Sequence, residues 1–337
     1  MPFASLVSNT SCTVYIEPIG DIHILIIHTI NFGAYVTLLT LLLVMAIERV
    51  TSKSKQFHIA SLAERYFGFL LNKGWLSKDS GMKGALLLSI IPAFVAYAAL
   101  SSMPMFVMLV ANLFVVWVCL GCPVTRRTYK QYLQAAQRED FQACSLHSMA
   151  FGNEGGELSN VGKQLVLVNY RQYASVIIFF IILGAPGVIF YSLVKEWALY
   201  MKREQLSAES KLDKSAEANE KDLEDTSVQA EISPVQPEES DVNRLLFIID
   251  WIPVRITAFG FLVVGHFTNA MSAWFDIIMN PNISTYDALA KVSKAAEDVS
   301  DKDTHLGEPL QLVKLVKRNI VFLLMAVSLL TMVGLVA

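Results

Sequence analysis

Six apolar runs, each close to the length that crosses a membrane, constrain the fold of this sequence more than any other feature. A transmembrane helix needs about 20 apolar residues. The runs are residues 22–47, 84–103, 104–122, 173–197 and 319–337, with a weaker one at 245–267. Because a backbone in lipid must satisfy its own hydrogen bonds, such runs form helices. The sequence therefore predicts an all-α, polytopic membrane protein with four to six transmembrane helices.

Charged residues are few and unevenly placed. They make up 17% of the chain, whereas an average soluble domain has about 25%. Lys and Arg concentrate in segments 48–83, 123–172 and 276–318, and cytoplasmic loops of membrane proteins carry that excess. We therefore expect these three segments to be cytoplasmic loops with helical stretches.

Acidic residues concentrate at 203–241, where twelve Asp and Glu stand against four Lys and Arg, and aromatic residues are absent. Such a composition buries too little apolar surface to offset the cost of ordering the chain, so we predict a disordered linker. This linker divides a membrane domain at 36–202 from a C-terminal membrane segment at 242–337.

Helical spacing of apolar residues is visible in the cytoplasmic loops. In SLAERYFGFLLNKGW, Leu62, Tyr66, Phe69 and Leu70 share the apolar face of a predicted amphipathic helix. In 123–172, most apolar residues before FGNEGGELSN fall on one face of a single helix. In 276–318, Ser284 is a candidate helix N-cap.

Helix-breaking residues occur at the centre of the fourth run, which contains GAPG. Gly184, Pro186 and Gly187 there predict a kink or an interruption. A membrane tolerates such a break only where the backbone is buried in protein or lines a cavity. Whether the runs 173–197 and 245–267 cross the membrane or re-enter it as paired hairpins stays open, so the count is six or four spans.

The sixth run, residues 245–267, contains DWIPVR, which places two charges beside the apolar stretch that follows it. Pro253 suits the first turn of a helix, with Asp250 just ahead of it and Arg255 within the next turns. Asp250 could tie Arg255 in place, or Arg255 could present its guanidinium to an anionic ligand. Composition does not separate the two. The pairs Glu48-Arg49 and Lys195-Glu196 lie at helix ends, which favours interfacial anchoring.

Motifs for a metal, a cofactor or a nucleic acid are absent from the sequence. GGELSNVGKQ has the wrong spacing for a nucleotide loop and carries Gln164 where Ser or Thr would hold Mg²⁺. Cys119 and Cys122 form a lone CxxC, for which small packing thiols are the favoured interpretation. Topology accounts for the charge of the basic loops. We therefore expect no metal, no cofactor and no nucleic-acid partner.

Five longer stretches resemble one protein family. VTLLTLLLVMAIERV, YKQYLQAAQREDFQA, LVNYRQYASVIIFFIILGAPGVIFYSLVKEW, DWIPVRITAFGFLVVGH and AMSAWF occur in this order in the AmpE family. The chain resembles that family over about residues 36–337. GAPGVIFYSLV and WIPVRITA are also similar to stretches of the CobD/CbiB cobinamide-phosphate synthases. Since the family pattern begins near Val36, we expect residues 1–35 to be an N-terminal extension that is not native.

The AmpE resemblance implies a multi-pass protein of the bacterial inner membrane that modulates signalling. It links the chain to β-lactamase induction, peptidoglycan-fragment recycling and an AmpD-type amidase. Its implied partners are membrane lipids and a peptidoglycan-derived or other anionic small molecule. The CobD/CbiB similarity implies an alternative, a membrane-embedded ligase or transferase acting on an anionic substrate. Because LVNYRQY replaces the acidic ENTSDG stretch of those synthases, the ligase activity is not carried over, and no catalytic residue is assigned.

The motifs supply twelve candidate residues. The ligand-binding candidates are Arg138, Asp140, Asn169, Arg171, Asp250, Arg255, Thr257 and His266. The structural kink residues are Gly184, Pro186, Gly187 and Pro253. If the chain has a ligand site, the first six of the ligand candidates should line a single pocket.

Overall fold

Helices make up all the regular structure in the described part of the chain. The computed structural model describes residues 36–51, 53–74, 81–153, 156–220, 241–297 and 307–333. Its helices are α1 (36–50), α2 (Ile59–Asn72), α3 (Gly81–Ser101), α4 (Met105–Cys119), α5 (Pro123–Gln137), α6 (Phe141–Met149), α7 (Val161–Asn169), α8 (Ser175–Glu220), α9 (Asp241–Val264), α10 (Phe267–Met279), α11 (Thr285–Glu297) and α12 (Gly307–Val333). The all-α class is confirmed. The expected extension, residues 1–35, lies outside the described residues.

Among the described residues, five helical segments are long and apolar enough to cross a membrane, as expected for a multi-pass membrane protein. They are Gly84–Ser101, Met105–Gln137, Leu158–Glu204, Asn243–Val264 and Gly307–Val333. α3 and α4 meet at Pro104, where the sequence predicts a turn. Their outer surface carries large apolar side chains such as Phe94 and Phe106, which are 68% and 76% exposed. A surface of this kind is suited to lipid contact.

The fourth predicted run forms a helical hairpin. Gly184, with φ 67° and ψ −159°, interrupts α8 after residue 183, and side chains rarely tolerate this left-handed φ. The rings of Phe179 and Tyr191 stack with their centroids 4.6 Å apart, whereas twelve residues of straight helix would separate them by about 18 Å. The long apolar segment that ends at Glu204 is therefore folded back on itself as a helical hairpin, and the predicted interruption at GAPG is present.

Small residues let the two arms of this hairpin approach each other. We call residues 175–183 the first arm and residues 185–220 the second arm. A Cβ at Gly187 would lie 3.0 Å from the carbonyl oxygen of Phe179 and would contact Leu183. Pro186 falls in the first turn of the second arm, where its missing N–H costs little. Both residues therefore have the structural role that the sequence predicts for them.

A second antiparallel pair is formed by α9 and α10. The ring centroids of Phe259 and Trp274 are 5.4 Å apart, and the chain reverses at Gly265 and His266 between the two helices. Unlike α8, α9 is a continuous helix from Asp241 to Val264, long enough to cross a membrane.

Pro253 lies in the middle of α9 and not in its first turn, so the prediction for its position is wrong. Polar Asn243 and Arg244 precede the apolar run, and the helix includes them because it starts at Asp241. The proline ring removes the backbone hydrogen bond to the carbonyl of Ile249. Burial of Pro253 against neighbouring helices supports the helix at this point.

The segments predicted to be cytoplasmic loops are helical, but two predicted apolar faces are wrong in detail. α2 buries Ile59, Ala63 and Phe67, whereas Phe69 is exposed. Phe67 packs against Trp197 of the second arm with their ring centroids 5.0 Å apart, so the partner of α2 is protein. The predicted interfacial role of the Lys195-Glu196-Trp197 stretch is wrong for the same reason, since all three residues are buried.

The helix predicted after residue 123 is two helices. The chain turns at Glu139, which has φ 57°, and Asp140 caps α6 by accepting a hydrogen bond from the amide of Ala143 at 3.0 Å. Tyr132 of α5 and Cys144 of α6 pack in one small core with α7 and α12. The predicted cap of α11 is confirmed, because the hydroxyl of Ser284 accepts from the amide of Asp287 at 3.0 Å.

The predicted linker begins inside a helix. α8 continues through Glu220, so the first part of segment 203–241 is helical and the prediction of disorder does not hold for it. Glu, Lys, Ala and Leu are strong helix formers, and they dominate this stretch. The rest of the segment, residues 221–240, lies outside the described residues.

Candidate functional site

A buried carboxylate lies where the hairpin meets α9. Asp250 has no exposed surface, and the hydroxyl of Tyr170 donates a hydrogen bond to its Oδ1 at 2.9 Å. Its Oδ2 has no hydrogen-bond partner in the structure. An ionised carboxylate away from water is costly unless several groups pair with it. The surroundings of Asp250 therefore decide what this residue does.

Cationic and phenolic groups surround Asp250. Arg171 and Lys195 are close enough to interact with its charge, and the hydroxyl of Tyr191 is directed at it. Ser175 lies within reach of both phenols. We call these six residues, Asp250, Tyr170, Arg171, Ser175, Tyr191 and Lys195, the Asp250 cluster. The two arms of the hairpin and the preceding turn supply five of them, and α9 supplies the acid.

Several polar atoms of the Asp250 cluster have no hydrogen-bond partner among the described residues. Buried polar atoms without a partner include Asp250 Oδ2, Tyr191 Oη, Ser175 Oγ and Arg171 Nε. Most buried polar groups in proteins are paired, so several unpaired ones at one point indicate a place for water or a polar ligand. The cluster combines donors, acceptors and both signs of charge, which equips it to hold a small polar group or to move a proton.

A π-helical turn at Tyr170–Ala174 joins the Asp250 cluster to a second buried acid. Tyr170 points to Asp250, whereas the hydroxyl of Tyr173 donates to Oε1 of Glu48 at 2.8 Å. π-helical turns are rare in proteins, but those that do occur often lie at functional sites. The extra residue of the turn lets Tyr170 and Tyr173, three positions apart, point in different directions and contact two different acids.

Glu48 is paired more completely than Asp250. Its carboxylate forms an ion pair with Arg126, whose two terminal nitrogens also donate to the Glu48 carbonyl at 3.3 and 3.4 Å. A Cβ at Gly121 would lie 2.5 Å from Glu48 Oε1 and 2.8 Å from the Tyr173 hydroxyl, so only glycine leaves room there. The predicted anchoring role of Glu48 is wrong, because this residue is 4% exposed.

The predicted ligand residues divide into two groups. Arg171 and Asp250 meet in the Asp250 cluster. Arg138 and Asp140 are exposed at the α5–α6 turn, and the amide of Asn169 donates to Leu165 of its own helix at 2.7 Å. A single pocket lined by all six residues is therefore not formed.

Arg255 points away from Asp250. Its Nη1 donates to the carbonyl of Trp251 at 2.9 Å, and its Nη2 donates to the carbonyl of Ile277 at 3.1 Å. The guanidinium also lies 3.9 Å from the ring centroid of Trp251. Of the two alternatives for Arg255, a tie to Asp250 does not hold, since Arg255 instead satisfies a carbonyl in the last turn of α10.

Thr257 and His266 have structural contacts. The hydroxyl of Thr257 donates to the carbonyl of Pro253 at 2.8 Å, and the carbonyl of Thr257 accepts from Asn319 of α12 at 3.4 Å. His266 is exposed at the start of α10, where its backbone amide donates to Ala296 at 2.7 Å.

Sequence reasoning assigned no ligand role to Tyr170, Tyr191, Lys195 or Glu48. Tyrosines in apolar helices usually pack as aromatic side chains, and charges near helix ends usually reach for headgroups. The available signal was the pair Asn169 and Arg171. These residues marked the π-helical turn and one member of the Asp250 cluster, but they did not identify Tyr170 between them. Among the described residues, no group of three or more His, Cys, Asp or Glu side chains is arranged to hold a metal.

The fold and the cluster define a multi-pass helical membrane protein in which a helical hairpin packs against a buried carboxylate. The family profile described as regulatory signalling modulator protein AmpE matches residues 36–216 and 223–337, and the chain therefore belongs to the AmpE family. Protein AmpE of Shigella flexneri is 24% identical over 318 residues, which cover 88% of this chain and 99% of that protein. No solved structure gives a significant match.

Proposed function

We propose that this chain is an inner-membrane signalling modulator that acts in β-lactamase induction, through the turnover of peptidoglycan fragments. The observation that carries the proposal is the family match, which extends over nearly all of residues 36–337. A functional link to an AmpD-type amidase and a peptidoglycan-derived anionic ligand belong to the same proposal.

The Asp250 cluster supports a role that depends on a ligand or a proton. A protein that only occupied the membrane would gain nothing from a fully buried carboxylate with a free oxygen, because the desolvation cost is several kcal/mol. Ionisable residues inside membrane segments are functional candidates for this reason. In the proposal, a change in occupancy or protonation at Asp250 alters the packing of the hairpin against α9.

The alternative, a ligase or transferase similar to CobD/CbiB, required a shared pocket for six polar residues. Only Arg171 and Asp250 lie together, and Arg138 and Asp140 are on an exposed turn. The geometry therefore favours the signalling function over this alternative. Similarity to those synthases stays a prediction.

The test is complementation of a deletion strain that carries an inducible β-lactamase. The variants are wild type, Asp250→Asn and the control Glu64→Gln, which removes an exposed acid paired only at the surface with Arg203. We expect deletion and Asp250→Asn to alter both β-lactamase induction and the muropeptide pool. Wild type and Glu64→Gln should restore both, since a surface ion pair contributes about 0–1 kcal/mol. Unchanged induction and muropeptides in the deletion strain would reject the proposal.

A further inference from the structure

A basic pocket lies beside Glu48. It occupies about 170 Å³ between the end of α1 and the start of α5. Its lining residues are Glu48, Thr51, Lys53, Pro123, Arg126, Arg127 and Lys130. Since a water molecule takes about 30 Å³ of liquid volume, the pocket has room for a phosphate group and several waters.

The pocket has more positive charge than its own residues neutralise. Four of its seven lining residues are cations, and Glu48 is the one acid among them. Arg126 already pairs with Glu48, whereas Arg127 and Lys130 have no ion-pair partner among the described residues. Both lie in the first turns of α5, which contains no acid in its first turn. The positive end of a helix dipole favours anions near the first turn, so it adds to the preference of this end of the pocket for an anion.

Lys53 distinguishes the pocket from an ordinary basic loop at a membrane surface. A lysine that reaches for headgroups keeps its ammonium in water, but Lys53 is only 7% exposed. Its ammonium donates to the carbonyl of Leu120 and lies 5.4 Å from the ring centroid of Trp117. Burial lowers the pKa of Lys53 to about 8, against the opposing effect of Cys119 and Cys122. A desolvated cation of this kind gains most from a bound anion.

We propose that this pocket binds a phosphate group, held by Arg127 and Lys130 at its mouth and by Lys53 at its base. The phosphate can belong to a free phosphorylated molecule or to the headgroup of an anionic phospholipid, and the chemistry of recognition is the same for both. Arg126 is held by Glu48 and contributes charge from a fixed position. The inference does not depend on the proposed signalling function.

The first measurement uses the full-length protein in a neutral detergent, with inorganic phosphate as the probe and chloride at matched ionic strength as the reference. Phosphate should raise the thermal unfolding midpoint in a saturable manner, because a ligand that binds only the folded state stabilises it. The variant Arg127→Gln/Lys130→Gln should bind phosphate about tenfold more weakly. The control Lys314→Gln/Lys317→Gln removes two exposed cations from α12, and it should bind like wild type.

The second measurement distinguishes the sources of the phosphate. The protein is reconstituted in nanodiscs of phosphatidylcholine alone or of equal parts phosphatidylcholine and phosphatidylglycerol, and native mass spectrometry counts retained lipids. Retention of phosphatidylglycerol that the Arg127/Lys130 variant loses supports a headgroup. Binding of inorganic phosphate that is equal in both nanodiscs supports a free molecule. The proposal is overturned if neither probe binds, or if both double variants weaken binding equally.

Discussion

Glu48 and Asp250 are both buried acids, but they are paired very differently. Glu48 is 4% exposed and is held by Arg126 and by the hydroxyl of Tyr173. Asp250 has no exposed surface, yet it accepts one hydrogen bond, and its second oxygen is free. Arg171 and Lys195 interact with the charge of Asp250 from a distance. Among the described residues, neither forms a salt bridge with it.

This difference indicates two roles. A carboxylate that is fully paired holds helices together, and Glu48 connects α1, α5 and the π-helical turn. A carboxylate with a free oxygen retains capacity for a ligand or a proton, at a cost in stability. Substitutions at the Glu48 site should therefore change stability first, and substitutions in the Asp250 cluster should change function first.

The largest effect on stability is expected for Arg126→Ala. The change leaves buried Glu48 with only Tyr173 as a partner. Because the Arg126 side chain is itself 45% exposed, we expect a loss of about 2–3 kcal/mol. The free energy of unfolding in mixed micelles measures this loss. Arg127→Ala, the neighbouring cation without an ion pair, is the control and should change stability by less than about 0.5 kcal/mol. Equal effects for the two would show that the pair is not structural.

Tyr170→Phe and Tyr191→Phe should have opposite effects, of about 1–2 kcal/mol each. Tyr170→Phe removes the single hydrogen bond to Asp250 and leaves both carboxylate oxygens unpaired, so it should destabilise the protein. The Tyr191 hydroxyl is directed at Asp250 without reaching hydrogen-bond geometry among the described residues. Tyr191→Phe therefore removes an unpaired buried hydroxyl and should stabilise the protein. Each substitution removes one oxygen atom from a tyrosine, so each variant is the control for the other. Loss of stability in both would mean that Tyr191 is also paired, through water or a ligand.

Much of this fold could be predicted from the sequence, and the particular gaps have physical causes. The GAPG interruption and the Ser284 cap depend on neighbours in sequence, so they were visible in it. The direction of the Arg255 side chain could not be predicted from the sequence. It depends on how α10 packs against α9 and places the Ile277 carbonyl. The Glu48–Arg126 pair joins residues 78 positions apart, and no spacing rule connects such residues.

Asp250→Asn should change stability by about 1 kcal/mol or less, while it abolishes the signalling response. Asparagine keeps an oxygen that can accept from Tyr170, and it removes the cost of a buried charge. Glu48→Gln is the matched comparison and should lose about 2 kcal/mol, since it leaves Arg126 without its counterion. Unfolding in mixed micelles and β-lactamase induction are measured for both variants. A response that survives in Asp250→Asn would assign Asp250 a structural role like that of Glu48.

A pH dependence of stability is also expected at Lys53, which lines the same pocket as Glu48. Its folded-state pKa of about 8 lies below the unfolded value of about 10.4. Below pH 8 the folded state bears the cost of a buried ammonium. Between about pH 8 and pH 10 the folded state has released its proton and the unfolded state has not, so stability rises with pH.

Lys53→Met lacks this titration, and the difference in unfolding midpoint between wild type and the variant should grow in favour of wild type over that interval. Lys130→Met removes an exposed lysine of the same pocket, and its midpoint should run parallel to that of wild type. A parallel curve for Lys53→Met as well would show that water reaches the Lys53 ammonium. Its burial would then not strengthen anion binding, and the pocket would hold its cations as a solvated surface does.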